Sequence, residues 1–147
     1  MTHEGMVHAL NEIRRVLVRD GILIDLRPIA YHAPVDVVSS RELRPAGNAS
    51  QLPEDLADDE AANRSIKEAG DQNWFIKERE EFFPFYYYWD SPNEMQKYIE
   101  EDWEDYVTLD EDTWKNIRSM WAVADADARV RLNLKMLISR WKVIKDR

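Results

Sequence analysis

The sequence predicts a mixed α/β domain of about three main strands flanked by helices. Three stretches predict it. Residues 6–26 read as an amphipathic helix running into Asp20-Gly21 and then the apolar segment Ile22-Leu23-Ile24-Asp25-Leu26. Residues 82–89 are a dense run of β-formers, and residues 129–138 alternate apolar with polar side chains. The chain has 147 residues and is 44% hydrophobic, which suits one domain around one core.

Taken in order, Met6, Leu10, Ile13 and Leu17, with Ala9 and Val16, repeat at helical spacing and form one apolar stripe. Asp20-Gly21 is expected to end this helix, with the glycine in a left-handed conformation. Ile22–Leu26 is apolar on both faces, as in a strand covered on both sides. Pro28, which has no N–H, stops its ladder. Val35, Val37 and Val38 suggest a second short strand beginning at Pro34. Residues 41–53, with Pro45, Gly47, Asn48 and Pro53, read as turn and loop, and residues 54–80 as a mostly polar helix weakened at Gly70. Residues 41–80 together form a polar insertion.

Residues 82–89 read as an aromatic strand. Ser91-Pro92-Asn93-Glu94 is a helix start, with a serine cap, an early proline and a capping-box glutamate. Met95, Tyr98, Ile99 and Trp103 line the inward side of that helix. Thr108 to Glu111 repeats the cap spacing before a helix that aligns Trp114, Ile117 and Trp121. Val130, Leu132, Leu134, Met136 and Ile138 alternate strictly with polar residues at first, which favours a strand over the helix the same residues also allow.

The formal net charge is −9, unevenly placed. Residues 54–112 hold 20 acidic and 5 basic residues, while residues 129–147 hold 7 basic and 1 acidic. This distribution argues against general affinity for nucleic acid or anionic lipid, and the basic tail is expected to be neutralised within the fold. No apolar run is long enough to span a membrane and the N-terminus has no export signal, so the expected location is cytoplasmic. There is no cysteine.

The chemistry of a cofactor enzyme is hard to place here. Nucleotide cofactors are held by glycine-rich turns that let the backbone approach the ligand. The glycines are 5, 21, 47 and 70, so no such turn can be written. His3, His8 and His32 lack zinc-site spacing, Ser39-Ser40 lacks a nucleophile context, and Asp125-Ala126-Asp127 lacks the rest of a calcium loop and marks a turn before the last strand. Glu100-Glu101-Asp102 reads as an outer helix face. The aromatic run is left: Tyr86, Tyr87, Tyr88 and Trp89 either line a pocket for a flat ligand or alternate between core and surface.

The segment Glu12-x-x-Arg15-Val16-Leu17-x-x-x-Gly21-Ile22-Leu23-Ile24 resembles the helix and fifth strand of class I S-adenosylmethionine-dependent methyltransferases. The later order of aromatic strand, helices and the alternating segment through Met136-Leu137-Ile138-Ser139-Arg140-Trp141 is similar to their C-terminal half. Residues 22–26, 82–89 and 129–138 would be strands five, six and seven of a partial Rossmann-like sheet, the last antiparallel and inserted between the other two. The resemblance covers nearly the whole chain but only half of the family domain. It implies that the cofactor-binding half is missing and that no S-adenosylmethionine is bound by this chain alone. It also places His3 where that family often faces its methyl acceptor, which makes His3, Tyr86, Tyr88 and Trp89 the candidate acceptor-pocket residues. No catalytic, cofactor or metal residue is assigned.

Three functional readings follow. The first is a methyltransferase-like protein without activity of its own, a dimeric or partner-binding module. The second is the acceptor-binding half of an enzyme completed by a separate N-terminal half. The third is a small-ligand binder using residues 82–89. The first two rest on the edge of strand 22–26, which lacks its family neighbour and is expected to be covered by a second copy or by the missing half.

Overall fold

The computed structural model describes residues 2–29 and 32–146. Along these residues run α1 (His3–Val16), β1 (Ile22–Pro28), β2 (His32–Val38), β3 (Leu43–Gln51), α2 (Pro53–Asp71), β4 (Phe75–Trp89), α3 (Pro92–Asp102), β5 (Val107–Thr108), α4 (Glu111–Ala122) and β6 (Arg129–Val143). The strands hydrogen-bond in the order β1-β6-β2-β3-β5, with β4 also pairing β6. The mixed α/β class is as expected, but the Rossmann-like sheet is not. The pairings of β1 and β2 with β6, of β2 with β3 and of β3 with β5 are all antiparallel. The link from β2 to β3 is also too short for the crossover that a parallel pair needs.

The chain divides into two compact units. One gathers residues 2–29, 56–83 and 136–146, and the other residues 32–55 and 84–135.

In the first unit, β1 pairs with the end of β6 from Ile22↔Lys142 to Pro28↔Met136. Leu23, Phe75, Trp141 and Val143 meet Leu10 and Ile13 of α1, its C-cap Leu17, and Ile66 and Ala69 of α2 in one apolar cluster. The expected stripe of α1 is therefore used, while Ala9 and Val16 stay exposed. Helix α1 ends at Val16, before Asp20-Gly21. The left-handed residue is Asp20, with φ 62°, a region that aspartate tolerates better than most residues. Gly21 is needed for space, since a Cβ there would lie 2.8 Å from the Val18 carbonyl oxygen. The expected helix over 54–80 stops at Asp71, and 75–80 belong to β4. Their charges hid the strand. They are exposed and pair along and across it, Lys77 with Glu80, Arg79 with Glu81 and Glu78 with Arg140.

In the second unit, the core is Val35, Val37, Ala46, Ala49, Trp89, Met95, Ile99, Ile117, Val130 and Leu132. The expected loop over 41–53 is largely β3. The pairing steps from Val35↔Gly47 to Asp36↔Pro45, so Ala46 is an extra residue in a bulge, where a proline is tolerated. Gly47, with φ +152°, admits Thr113 of α4 so closely that a Cβ would run into it, and Asn116 donates to the Ala46 carbonyl at 2.9 Å. Small residues serve this strand because a helix lies against it, which a β-former count does not register. Ser91 caps α3 through Glu94 N–H at 3.1 Å as expected. The cap of α4 is Asp110 rather than Thr108, accepting from Thr113 N–H at 2.7 Å. The expected strand over 129–138 is present and runs on to Val143.

One irregularity lies inside β6. Its buried positions are even at Val130 and Leu132 but odd from Leu137 to Val143. Glu78 of β4 bonds the even residue Arg140, whereas Tyr86 and Tyr88 lie under the odd residues Arg131 and Arg129. The β4–β6 pairing therefore slips by one residue in between, the behaviour of a bulge.

Candidate binding sites

The edge of β1 was expected to be open. β1 is the terminal strand of the order, and among the described residues no strand pairs its outer edge. Leu23, Asp25 and Arg27 turn toward the helices, and Ile24 and Leu26 turn away, 52% and 54% exposed. On that outer face they sit beside Arg140 and Ile138, their register partners in β6. Asp25 and Arg27 satisfy each other in a fork, Nε to Oδ1 at 2.8 Å and Nη2 to Oδ2 at 2.9 Å, and Arg27 also donates to Asn63 Oδ1 at 2.8 Å.

The acceptor-pocket residues do not come together around one space. Trp89 is buried in a cluster with Tyr87, Tyr98 and Trp103, the tightest ring centroids 4.8 and 4.9 Å apart and the widest 6.4 Å. Rings that close to one another leave no room between them for a ligand, and burial raises the Tyr98 hydroxyl pKa. Tyr86 and Tyr88 face the other way, each under a guanidinium at 4.5 Å, Arg131 and Arg129 respectively. Arg131 in turn bonds the buried Asp36 at 2.9 Å, and Arg129 pairs with Asp90. The basic tail is thus tied down by acids of its own chain, as Arg140 is by Glu78.

His3 belongs to the first unit and joins α1 to α2. Its Nδ1 lies 3.0 Å from Ser65 Oγ and its Nε2 is 2.7 Å from Glu68 Oε2. Serine, histidine and carboxylate in a row invite comparison with a nucleophile and its base. Ser65 is buried in mid-helix and donates to the Ala61 carbonyl at 2.6 Å, so its oxygen is not presented to any substrate. The row anchors α1. Sequence reading missed it because the only local signal is a serine three residues before a glutamate in a polar helix.

In the second unit, Asp125 and Asp127 bind the β2–β3 turn. Hydrogen bonds from Arg41 and Ser39 hold the Asp125 carboxyl below the usual carboxylate range, and those from Ser40 do so for Asp127. This is the turn expected before the last strand, used as a structural tie. Among the described residues no group of three histidines and carboxylates is placed to hold a metal ion. Among them, no helix is long and apolar enough to cross a membrane.

Sequence reasoning missed one further feature, a cleft of about 620 Å³ in the first unit. It lies between α2 and the helix-facing side of β1, β4 and β6, with Phe75, Leu137 and Trp141 among its apolar lining. No family description, curated protein or solved structure matches this chain.

Proposed function

We propose that the chain works by binding rather than by chemistry, and that its partner at β1 is a second copy of itself. The observation that carries this reading is the pair of half-exposed residues Ile24 and Leu26 on an edge strand that, among the described residues, has no strand beyond it. An edge can pair with itself about a two-fold axis, using one surface twice. A register centred on Ile24 places Leu26 opposite Ile22 and Leu23 opposite Asp25, so the two Asp25 carboxylates are not directly opposed. Pro28 limits the pairing to residues 22–27.

Light scattering on the purified chain is expected to give twice the chain mass, and Ile24→Pro to give the single mass with retained helical signal. A monodisperse wild-type monomer at concentrations up to about 1 mM, the range of weak self-association, sinks the reading.

Kinship with the C-terminal half of class I methyltransferases is a second reading. What supports it is the position of β6, antiparallel between β1 and β4, as strand seven would be between strands five and six. The β2–β3 hairpin has no counterpart in that pattern. On this reading the edge of β1 is where a separately encoded N-terminal half would dock, and the chain alone binds no S-adenosylmethionine. Calorimetry expects no heat with that cofactor, and micromolar binding to this chain would overturn the expectation.

A further inference from the structure

We infer that His3 is a pH-sensitive latch, holding the start of α1 on α2 only while both of its ring nitrogens carry a proton. The Ser65 hydroxyl has one proton, and the Ala61 carbonyl oxygen takes it. Those two oxygens lie 2.6 Å apart, and with no proton between them they would repel. Ser65 Oγ therefore meets His3 Nδ1, 3.0 Å away, as an acceptor, and Nδ1 is the donor. On the other side of the ring, Nε2 lies 2.7 Å from Glu68 Oε2, a contact that also needs an N–H.

A neutral imidazole has a single N–H and can serve only one of these partners. The imidazolium serves both. When the ring loses a proton, one of the two bonds becomes a contact between two acceptors, either at Ser65 or at Glu68. Ser65 is buried and its own proton is committed to Ala61, so a lost Nδ1 bond is not simply exchanged for one to water.

Few other charges bear on the ring. Glu68 faces it from α2, and Glu4 and His8 of its own helix line the same small hollow, with the uncharged Trp74 opposite. His3 opens α1, where the helix dipole disfavours a cation, and the carboxylates of Glu68 and Glu4 counter that effect. The apolar cluster takes in α1 only from Leu10 onward, which leaves His3 to tie down the turns before it. Histidine changes its charge between about pH 5 and pH 8. The latch is therefore closed in mild acid and opens as the pH rises through that range.

The test uses the isotope-labelled full chain. Imidazole nitrogen shifts at about pH 6 are expected to show both His3 nitrogens protonated. Amide exchange at Met6, Val7 and His8, corrected for its intrinsic rise with pH, reads the ratio of closed to open forms at the start of α1. Between about pH 6 and about pH 8 that ratio is expected to fall about tenfold, through the loss of one hydrogen bond to a charged group. His3→Gln, whose side chain does not titrate, is expected to hold the ratio constant, and His8→Gln to leave the fall in place. A His3 ring with a single protonated nitrogen at about pH 6 overturns the inference. So does a constant ratio in the wild type, or a fall that survives in His3→Gln. Self-pairing at β1 is read from the mass in solution, so either idea can fail without the other.

Discussion

The two units use their aromatic residues in opposite ways. In the second, Tyr87, Trp89, Tyr98 and Trp103 pack on one another until no space is left, and the outward tyrosines are roofed by arginines. In the first, Trp141 is buried with Phe75 and Trp74 in one cluster and against Gly70, at the edge of the cleft. The outer face there carries bare isoleucine and leucine rather than capped tyrosine. The four-ring cluster marks where packing is complete, whereas Phe82, Phe83, Phe85, Tyr86 and Tyr88 of the same run stay at the surface. The cleft of the first unit marks where packing is not complete.

That contrast can be broken most severely at Trp89. Trp89→Ala is expected to cost about 3–5 kcal/mol by chemical denaturation, because the ring is buried among three others. A loss below about 1 kcal/mol would mean the cluster is loose and the contrast false. Next comes Gly47→Ala, which adds a Cβ at φ +152° against Thr113 and is expected to cost about 1–3 kcal/mol. An unchanged denaturation midpoint would show that α4 does not press on β3.

Acid is expected to act on the second unit through Asp110, Asp125 and Asp127. Each has a folded pKa below its ordinary value, through hydrogen bonds from Thr113, from Arg41 and Ser39, and from Ser40 respectively. Their contribution is complete above the unfolded value of about 4 and is lost as pH falls from there through the folded values. Asp110→Asn keeps the cap without the titration, so its denaturation midpoint should fall less between pH 5 and pH 2 than that of the wild type. Equal slopes would count against that carboxylate.

The smallest expected effect is at Gly70→Ala in the first unit. Helix propensity favours alanine by about 1 kcal/mol, while the new Cβ meets Trp141 at 3.3 Å, so the net change should stay within about 1 kcal/mol. A large loss would show the first unit to be packed as tightly as the second, against the contrast.

Local signals were legible where one segment determines its own conformation. The stripe of α1, the cap at Ser91 and the presence of a strand at β1 read correctly from neighbours in sequence, but the expected cover on both faces of β1 is absent, since Ile24 and Leu26 are half-exposed. The misses come from partners distant in the chain. Pro45 and Gly47 look like loop until α4 is laid against them, and residues 77–80 look helical until Arg140 supplies a partner across the strand. Pairing direction was likewise invisible, since an apolar strand reads the same in a parallel or antiparallel sheet. Of the candidate sites, the edge of β1 followed from the methyltransferase resemblance, which leaves that strand without its neighbour. The cleft did not, because its polar fork joins Asp25 and Arg27 on one strand to Asn63 on a helix.

The slip in β6 makes residues 133–136 a punctuation mark within one strand. Upstream of it the chain spells its core on even numbers and downstream on odd. Deleting one residue there would make the spelling uniform and yet turn Leu137, Ser139, Trp141 and Val143 out of phase with the layer they fill. A shorter, more regular strand would be the worse one, and length at this point is as much a part of the code as side-chain identity.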